Sequence, residues 1–372
     1  MVAATHAATA SRGPLRYSDD VEQVPSDEAE TIAVLAREFQ KIAEITFRDG
    51  GHAIRPVHAK SHGFVRGELI VSAGLPTALA QGLFAAPATY PVIMRFSTTP
   101  GDILPDNVST PRGLAVKVMG VEGRRLTGSE NDTTQDFVMI VGKAFGAPDP
   151  KAFLSIVKLL VPTTDRAPGA KQVLSAVLRG AERVVEALGG ESGTLKALGG
   201  YPENHVLGES FFTQAPIRYG DFIAKLGVYP VSPELMALTN KAVDLRGKPD
   251  GLREAVSEFF AKNDAIWDVR AQLCTDLESM PIENAAKVWP EDKSPYLTVA
   301  RIVARRQPTW SDELYDRIDT AMAFSPWHGL AAHRPLGGIM RARKVVYPQS
   351  AAFRSRSNGC PIVEPSRSEA EV

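Results

Sequence analysis

Cysteine is almost missing from this sequence. Only Cys274 and Cys360 occur, far apart and outside any CxxC or Cys/His spacing, which argues against a disulfide framework or a thiolate zinc centre and makes a reducing compartment the default. Long apolar runs are missing too. The most apolar segment, FLSIVKLLV at 153–161, carries a lysine and is too short to span a bilayer. The opening residues, MVAATHAATASRG, contain no apolar stretch of signal-peptide length. The expected setting is therefore a soluble, cytoplasmic protein with no membrane span. Neither sign of charge is in excess: the formal net charge is -1, so there is no bulk drive toward nucleic acid or an anionic membrane. Any charge effect has to be local.

What is present reads as alternating structure. Residues 1–24 are polar and small and suggest a loose arm. Ser26, Asp27 and Glu28 form a capped, acid-rich helix start, and Ile32, Leu35, Phe39 and Ile42 follow on one helical face. Strand-like pieces dominate to about residue 141: GELIVS, PVIMRFS, RGLAVKVM and DFVMIV, each bounded by turn formers. Val173, Val177, Ala181, Val184 and Leu188 then make a helical stripe in 171–188. IWDVRAQLC alternates Trp267, Val269, Ala271 and Leu273 with polar residues, the pattern of a half-buried strand, and a helix is expected at 311–322. No repeat and no Pro/Ser linker divides the chain. The expectation is a single α+β domain over 25–360, its sheet assembled from distant segments, followed by a tail at 361–372.

Two local features ask for chemistry. Between Asp319 and Glu364 there is no carboxylate, yet Arg334, Arg341, Arg343, Lys344, Arg354 and Arg356 all lie there. Such a segment fits either an anionic partner or a solvated basic face paired with acids elsewhere. Within it, Arg343, Tyr347 and Arg354 stand four and seven residues apart, so a helix projects them on one side. A guanidinium one turn from a phenol favours its ionised form, a hard ligand for ferric iron; a half-buried tyrosine with its hydroxyl in water is the plainer alternative. The other feature is IRPVHAKSHG at 54–63, where His58 could be a core histidine, a metal ligand or a base.

A resemblance narrows these choices. RPVHAKSHG, MRFSTTPGD at 94–102, PRGLAVKV at 111–118, KVWP at 287–290, AFSP at 323–326 and RKVVYP at 343–348 together resemble, in order, motifs of the haem catalases. The resemblance covers most of residues 50–358. It implies an antiparallel β-barrel core with surrounding helices and bound haem b, an iron porphyrin, together with a likeness of roles residue by residue. His58 resembles the distal histidine, Ser97 the serine that orients it, and Asn131, in GSENDTTQDF, the distal asparagine. Arg55, Arg95 and Arg354 match arginines that meet haem propionates, and Phe324 matches a phenylalanine packed on the porphyrin. Tyr347 matches the axial iron ligand, with Arg343 as its charge partner. Val57 and Phe64 are expected as apolar lining, and His52 and His62 as surface or supporting residues. His328 and His333 have the wrong spacing and setting for a metal site.

The match has departures. Tyr347 lies near the end of the sequence, so the long C-terminal helical extension of catalases and its nucleotide site are not expected, and Asp136 stands where most relatives place an aromatic near the haem. The resemblance therefore implies a short, catalase-like peroxidase that uses hydrogen or organic peroxides, with some catalase activity. Its partners would be peroxide and a small organic electron donor, with no nucleic acid, and its subunits would form a homo-oligomer. The alternatives are a lipid hydroperoxide enzyme of the allene oxide synthase type and a non-catalytic haem-binding protein. Val57, where allene oxide synthases carry threonine, favours peroxide cleavage.

Overall fold

Strands that follow one another along the chain pair with one another, and this builds most of the sheet. The computed structural model describes residues 13–161 and 201–366; the helical stripe expected at 171–188 lies outside them. The strands are β1 (Ser61–Val71), β2 (Thr89–Thr98), β3 (Arg112–Met119), β4 (Thr134–Val141), β5 (Phe211–Phe212), β6 (Ile217–Tyr219), β7 (Phe222–Pro230), β8 (Ala265–Leu273) and β9 (Leu297–Ala304). All pairings are antiparallel, in the order β5-β4-β3-β2-β1-β9-β8-β7-β6, and β5 also pairs with β7. That last pairing closes an eight-stranded barrel, with β6 as a flap on β7. Closure removes the sheet edges that would otherwise stay unpaired.

Alternation along each strand fills the barrel. Val92, Met94 and Phe96 of β2, Leu114, Val116 and Val118 of β3, and Phe137 and Met139 of β4 belong to one buried cluster with Trp267, Val269 and Ala271 of β8. The intervening residues face outward, as the two-residue period of a strand requires. β8 departs from the half-buried expectation, because its polar face is covered as well: Asp268 and Gln272 are both buried.

Helices α1 (Glu28–Gly50), α2 (Pro150–Leu160) and α4 (Gly338–Asn358) form a layer of their own; α3 (Gly251–Phe260) packs on β1. The face predicted from Ile32, Leu35, Phe39 and Ile42 is the one that α1 buries, against Leu154 and Val157 of α2 and Ala342 and Val346 of α4. Each of the larger apolar side chains contributes about 1.5–3 kcal/mol relative to exposure, so this contact fixes where α4 lies. The amino end of α4 is fixed by charge. Arg341 pairs with Glu22 at 2.7 Å, Glu28 at 2.6 Å and Glu283 at 2.7 Å. Glu22 and Glu283 also accept the Gly337 and Gly338 backbone N–H groups, each at 2.9 Å. Carboxylates at this end satisfy orphan helix donors and favour the helix dipole.

Two expectations are corrected. Residues 13–24 are docked rather than loose: Leu15 N–H donates to Cys274 O at 2.7 Å, Tyr17 N–H donates to Asp221 O at 2.8 Å, and Glu22 joins the Arg341 clamp. A polar composition does not reveal such backbone pairing. The helix expected at 311–322 is a short turn, Asp312–Leu314, followed by a π-helical segment, Tyr315–Thr320. The sequence pattern cannot distinguish the wider turn from an α-helix.

Candidate active site

The outer face of β2, β3 and β4 makes the floor. Register places Arg95 beside Ala115 and Ala115 beside Val138, with Ser97 beside Gly113 in the adjacent row. Over this floor lies a cavity. Its walls are Arg55, Val57 and His58 from the loop before β1, Ala323 and Phe324 from the loop after the π-helical segment, and Tyr347, Ser350, Ala351 and Arg354 from α4. His58 and Tyr347, nearly the whole domain apart in sequence, thus border one space.

His58 is held from several sides. Its Nδ1 lies 3.0 Å from Ser97 Oγ, its backbone N–H donates to Thr99 O at 2.9 Å, and its carbonyl accepts from Arg95 Nη2 at 2.8 Å. Its φ of 54° is left-handed, a conformation rare for a residue with a side chain and a mark of local strain. The ring passes so close to β3 that a Cβ on Gly113 would stand 2.5 Å from His58 Cε1 and Nδ1. Burial, and then the charges of Arg95, Arg343 and Arg55, push the imidazole pKa down to about 3. His58 is therefore neutral at ordinary pH, with one nitrogen occupied by Ser97.

Arg55, Arg95 and Arg354 gather around one carboxylate, Asp319. Arg95 Nε donates to Asp319 Oδ1 at 2.8 Å, and Arg55 Nη1 donates to the same oxygen. Ser61 Oγ donates to Oδ2 at 2.5 Å. A bulge in β1 between Ser61 and Gly63 accounts for Ser61 and Phe64 sharing the outer face. Arg354 donates instead to the carbonyls of Asp319 at 2.9 Å and Thr320 at 3.0 Å. Burial alone would raise the Asp319 pKa, but Arg95 and Arg55 overcome it and hold the carboxyl below its usual range. Burial lowers the Arg354 pKa to about 10.

Other expected residues fall elsewhere. Asn131 is exposed in the turn before β4 and does not line the cavity. Arg343 lies over the Phe145 ring, 5.6 Å from its centroid, so its charge reaches His58 but it is not part of the wall. Phe64 stacks on Trp310, with centroids 5.1 Å apart, one layer behind the lining. His62 is fully buried rather than at the surface, with Nε2 3.2 Å from Thr98 Oγ1. His52 is exposed, and His333 sits inside the barrel against Phe84 and Phe137. Asp136 brings no free charge to the cavity: both its oxygens accept from the buried Lys117 Nζ, at 2.8 and 2.9 Å, and Oδ2 also accepts from Ser325 N–H at 2.9 Å. Sequence reasoning missed Asp319 and Gly113. Asp319 did carry a signal, as the last acid before the long carboxylate-free stretch; Gly113 carried none beyond a strand glycine.

The donor set suits a porphyrin with two carboxylates. Among the described residues, Arg55 and Arg95 share one carboxylate, Arg354 is held by backbone carbonyls, and Arg354 Nε is a buried donor with no acceptor. The lining beside them is apolar, from Val57, Ala115, Val138, Phe324 and Val346, as a macrocycle face requires.

No protein-family model matches the chain, and no curated protein does. Solved structures do. A fungal catalase matches with a TM-score of 0.58 at 18% identity, over 86% of this chain and 65% of that one. Catalase A from Saccharomyces cerevisiae matches with 0.60 at 18%, over 87% and 68%. A bacterial catalase matches with 0.55 at 18%, over 87% and 62%. The chain thus spans roughly two thirds of the length of these proteins. Barrel closure, strand order and this likeness together give the protein a catalase-like fold, an antiparallel barrel with helices packed around it.

Proposed function

We propose that this chain binds haem b and acts as a peroxidase on hydrogen or organic peroxides, with some catalase activity. The observation that carries the reading is the shared cavity: an uncharged imidazole, a tyrosine and an arginine cluster border one apolar space.

In this reading Tyr347 would ligate the iron, and Arg55, Arg95 and Arg354 would hold the propionates through charge-assisted hydrogen bonds. Phe324 and the small side chains of β3 and β4 would pack on the ring. When bound, the iron porphyrin supplies the redox chemistry of O–O cleavage. The protein moves the proton: neutral His58 accepts it from one peroxide oxygen and returns it to the other. Ser97 fixes the ring for that transfer, 3.0 Å from Nδ1, so that no reorientation is needed. Asn131 has no part in this account, since it lies outside the wall. Val57, which lines the cavity beside His58, supplies no hydroxyl there and supports peroxide cleavage over hydroperoxide isomerisation.

The test is to add haemin to the purified chain and compare oxygen evolution from hydrogen peroxide with oxidation of a phenolic donor. Oxidation of the donor, with weaker oxygen evolution, is expected. Neither activity in haem-replete protein would overturn the proposal.

A further inference from the structure

Asp319 has no counterpart in the motifs that point to the cavity, yet it occupies the centre of the arginine cluster. Its two oxygens and its carbonyl together accept from Arg55, Arg95, Ser61 and Arg354. Among the described residues no other carboxylate pairs with these three arginines. Its segment is the π-helical turn Tyr315–Thr320, a geometry found often at functional sites.

We infer that Asp319 is a built-in counter-ion: it holds Arg55, Arg95 and Arg354 in place before the cofactor arrives and limits how tightly the cofactor's two carboxylates are then bound. The inference rests on the iron-porphyrin reading above.

Charge balance supports it. Three closely packed guanidiniums without an anion would repel one another, and burial with the neighbouring Arg354 and Arg95 already holds the Arg55 pKa well down. One carboxylate makes the cluster tolerable, and leaves two positive charges uncompensated, the number that a porphyrin dicarboxylate brings. Hydrogen bonding supports it as well. Arg55 Nη2 and Arg354 Nη2 donate to the carbonyl of Met322, at 3.0 and 3.2 Å, so the carbonyls of Asp319, Thr320 and Met322 orient the forks. Among the described residues, Arg354 Nε has no acceptor. Fixed forks reduce the ordering cost of binding a carboxylate. The same Asp319 charge repels the incoming carboxylates, by an amount that for two unit charges about 8 Å apart at an effective dielectric near 20 corresponds to roughly 30-fold in affinity.

The test compares wild type with Asp319→Asn, using haemin and its dimethyl ester as probes, by absorption titration and by thermal unfolding of the cofactor-free chain. The inference requires three results. Cofactor-free Asp319→Asn unfolds several degrees lower, because the cluster has lost its anion. Its affinity for haemin rises by about tenfold, the removed repulsion less the looser arginines. Its affinity for the uncharged diester does not rise. A merely structural role would weaken both ligands alike. Weaker or unchanged haemin binding, an equal gain for the diester, or an unchanged unfolding temperature would overturn the inference. If Asp319→Asn does not accumulate, pairing it with Arg55→Gln restores the charge balance and should restore folding; failure of that rescue also overturns it. Wild-type protein that binds no haemin would instead overturn the functional reading.

Discussion

Replacing Gly113 by alanine perturbs the site through space alone. Gly113 needs no unusual backbone angle; it is small because the imidazole of His58 lies against it. A Cβ there would stand 2.5 Å from His58 Cε1 and Nδ1 and 2.9 Å from Ser97 Oγ. Normal contact begins near 3.5 Å, so the ring must move by about 1 Å. The backbone of His58 cannot give, since its N–H and carbonyl are both engaged, at 2.9 and 2.8 Å. The side chain must rotate instead, breaking the 3.0 Å contact with Ser97. Overpacking of this kind costs about 1–3 kcal/mol in stability, and a misplacement of about 1 Å costs on the order of 100-fold in rate. Tyr347 and the arginine cluster are untouched, so haemin affinity stays close to that of wild type. The assay is peroxide consumption by Gly113→Ala and wild type at equal haem content. A rate within about threefold of wild type would refute the argument that His58 acts from this position.

Two further outcomes follow from the same structure. Arg341→Met removes the cation shared by Glu22, Glu28 and Glu283 and leaves buried carboxylates facing one another; a loss of about 3–5 kcal/mol is expected in denaturant unfolding, and a loss below 1 kcal/mol would show that the clamp does not hold α4. The pH dependence of stability comes from buried neutral histidines. Burial lowers His58 to about 3 and His205 and His333 to about 4, whereas the unfolded chain titrates near 6.5. Below pH 6.5 the unfolded state binds more protons, so this stability is full above that pH and falls as the pH drops toward 4. The slope is about 1.4 kcal/mol per pH unit for each histidine, and a urea midpoint that stays constant from pH 7 to 4.5 would contradict it.

The barrel was legible because its strands obey simple alternation: the inward residues of PVIMRFS, RGLAVKVM and IWDVRAQL are the ones that the core buries. Helix α1 was legible from its apolar stripe for the same reason. That Tyr347 and Arg354 share one side of a helix was legible because seven residues make about two turns. What stayed hidden depends on contacts between distant segments. Asp136 looked like a stray acid beside the expected cofactor site because its partner, Lys117, comes from the neighbouring strand. His62 looked peripheral because its burial follows from the bulge in β1. Asn131 was misplaced because a motif match gives order along the chain and not exposure. Asp319 was passed over as a boundary of the basic stretch, when it is the anion around which that stretch's Arg354 and two upstream arginines are arranged.

Under the proposed function, Tyr347 ligates iron in the cavity that His58 borders. The most direct measurement is the absorption spectrum of the chain reconstituted with haemin, for wild type and Tyr347→Phe, with the circular dichroism of both recorded to show equal folding. The account predicts a high-spin ferric spectrum in wild type that is lost in Tyr347→Phe. An identical spectrum in the two proteins, or no haemin bound by wild type, would contradict it.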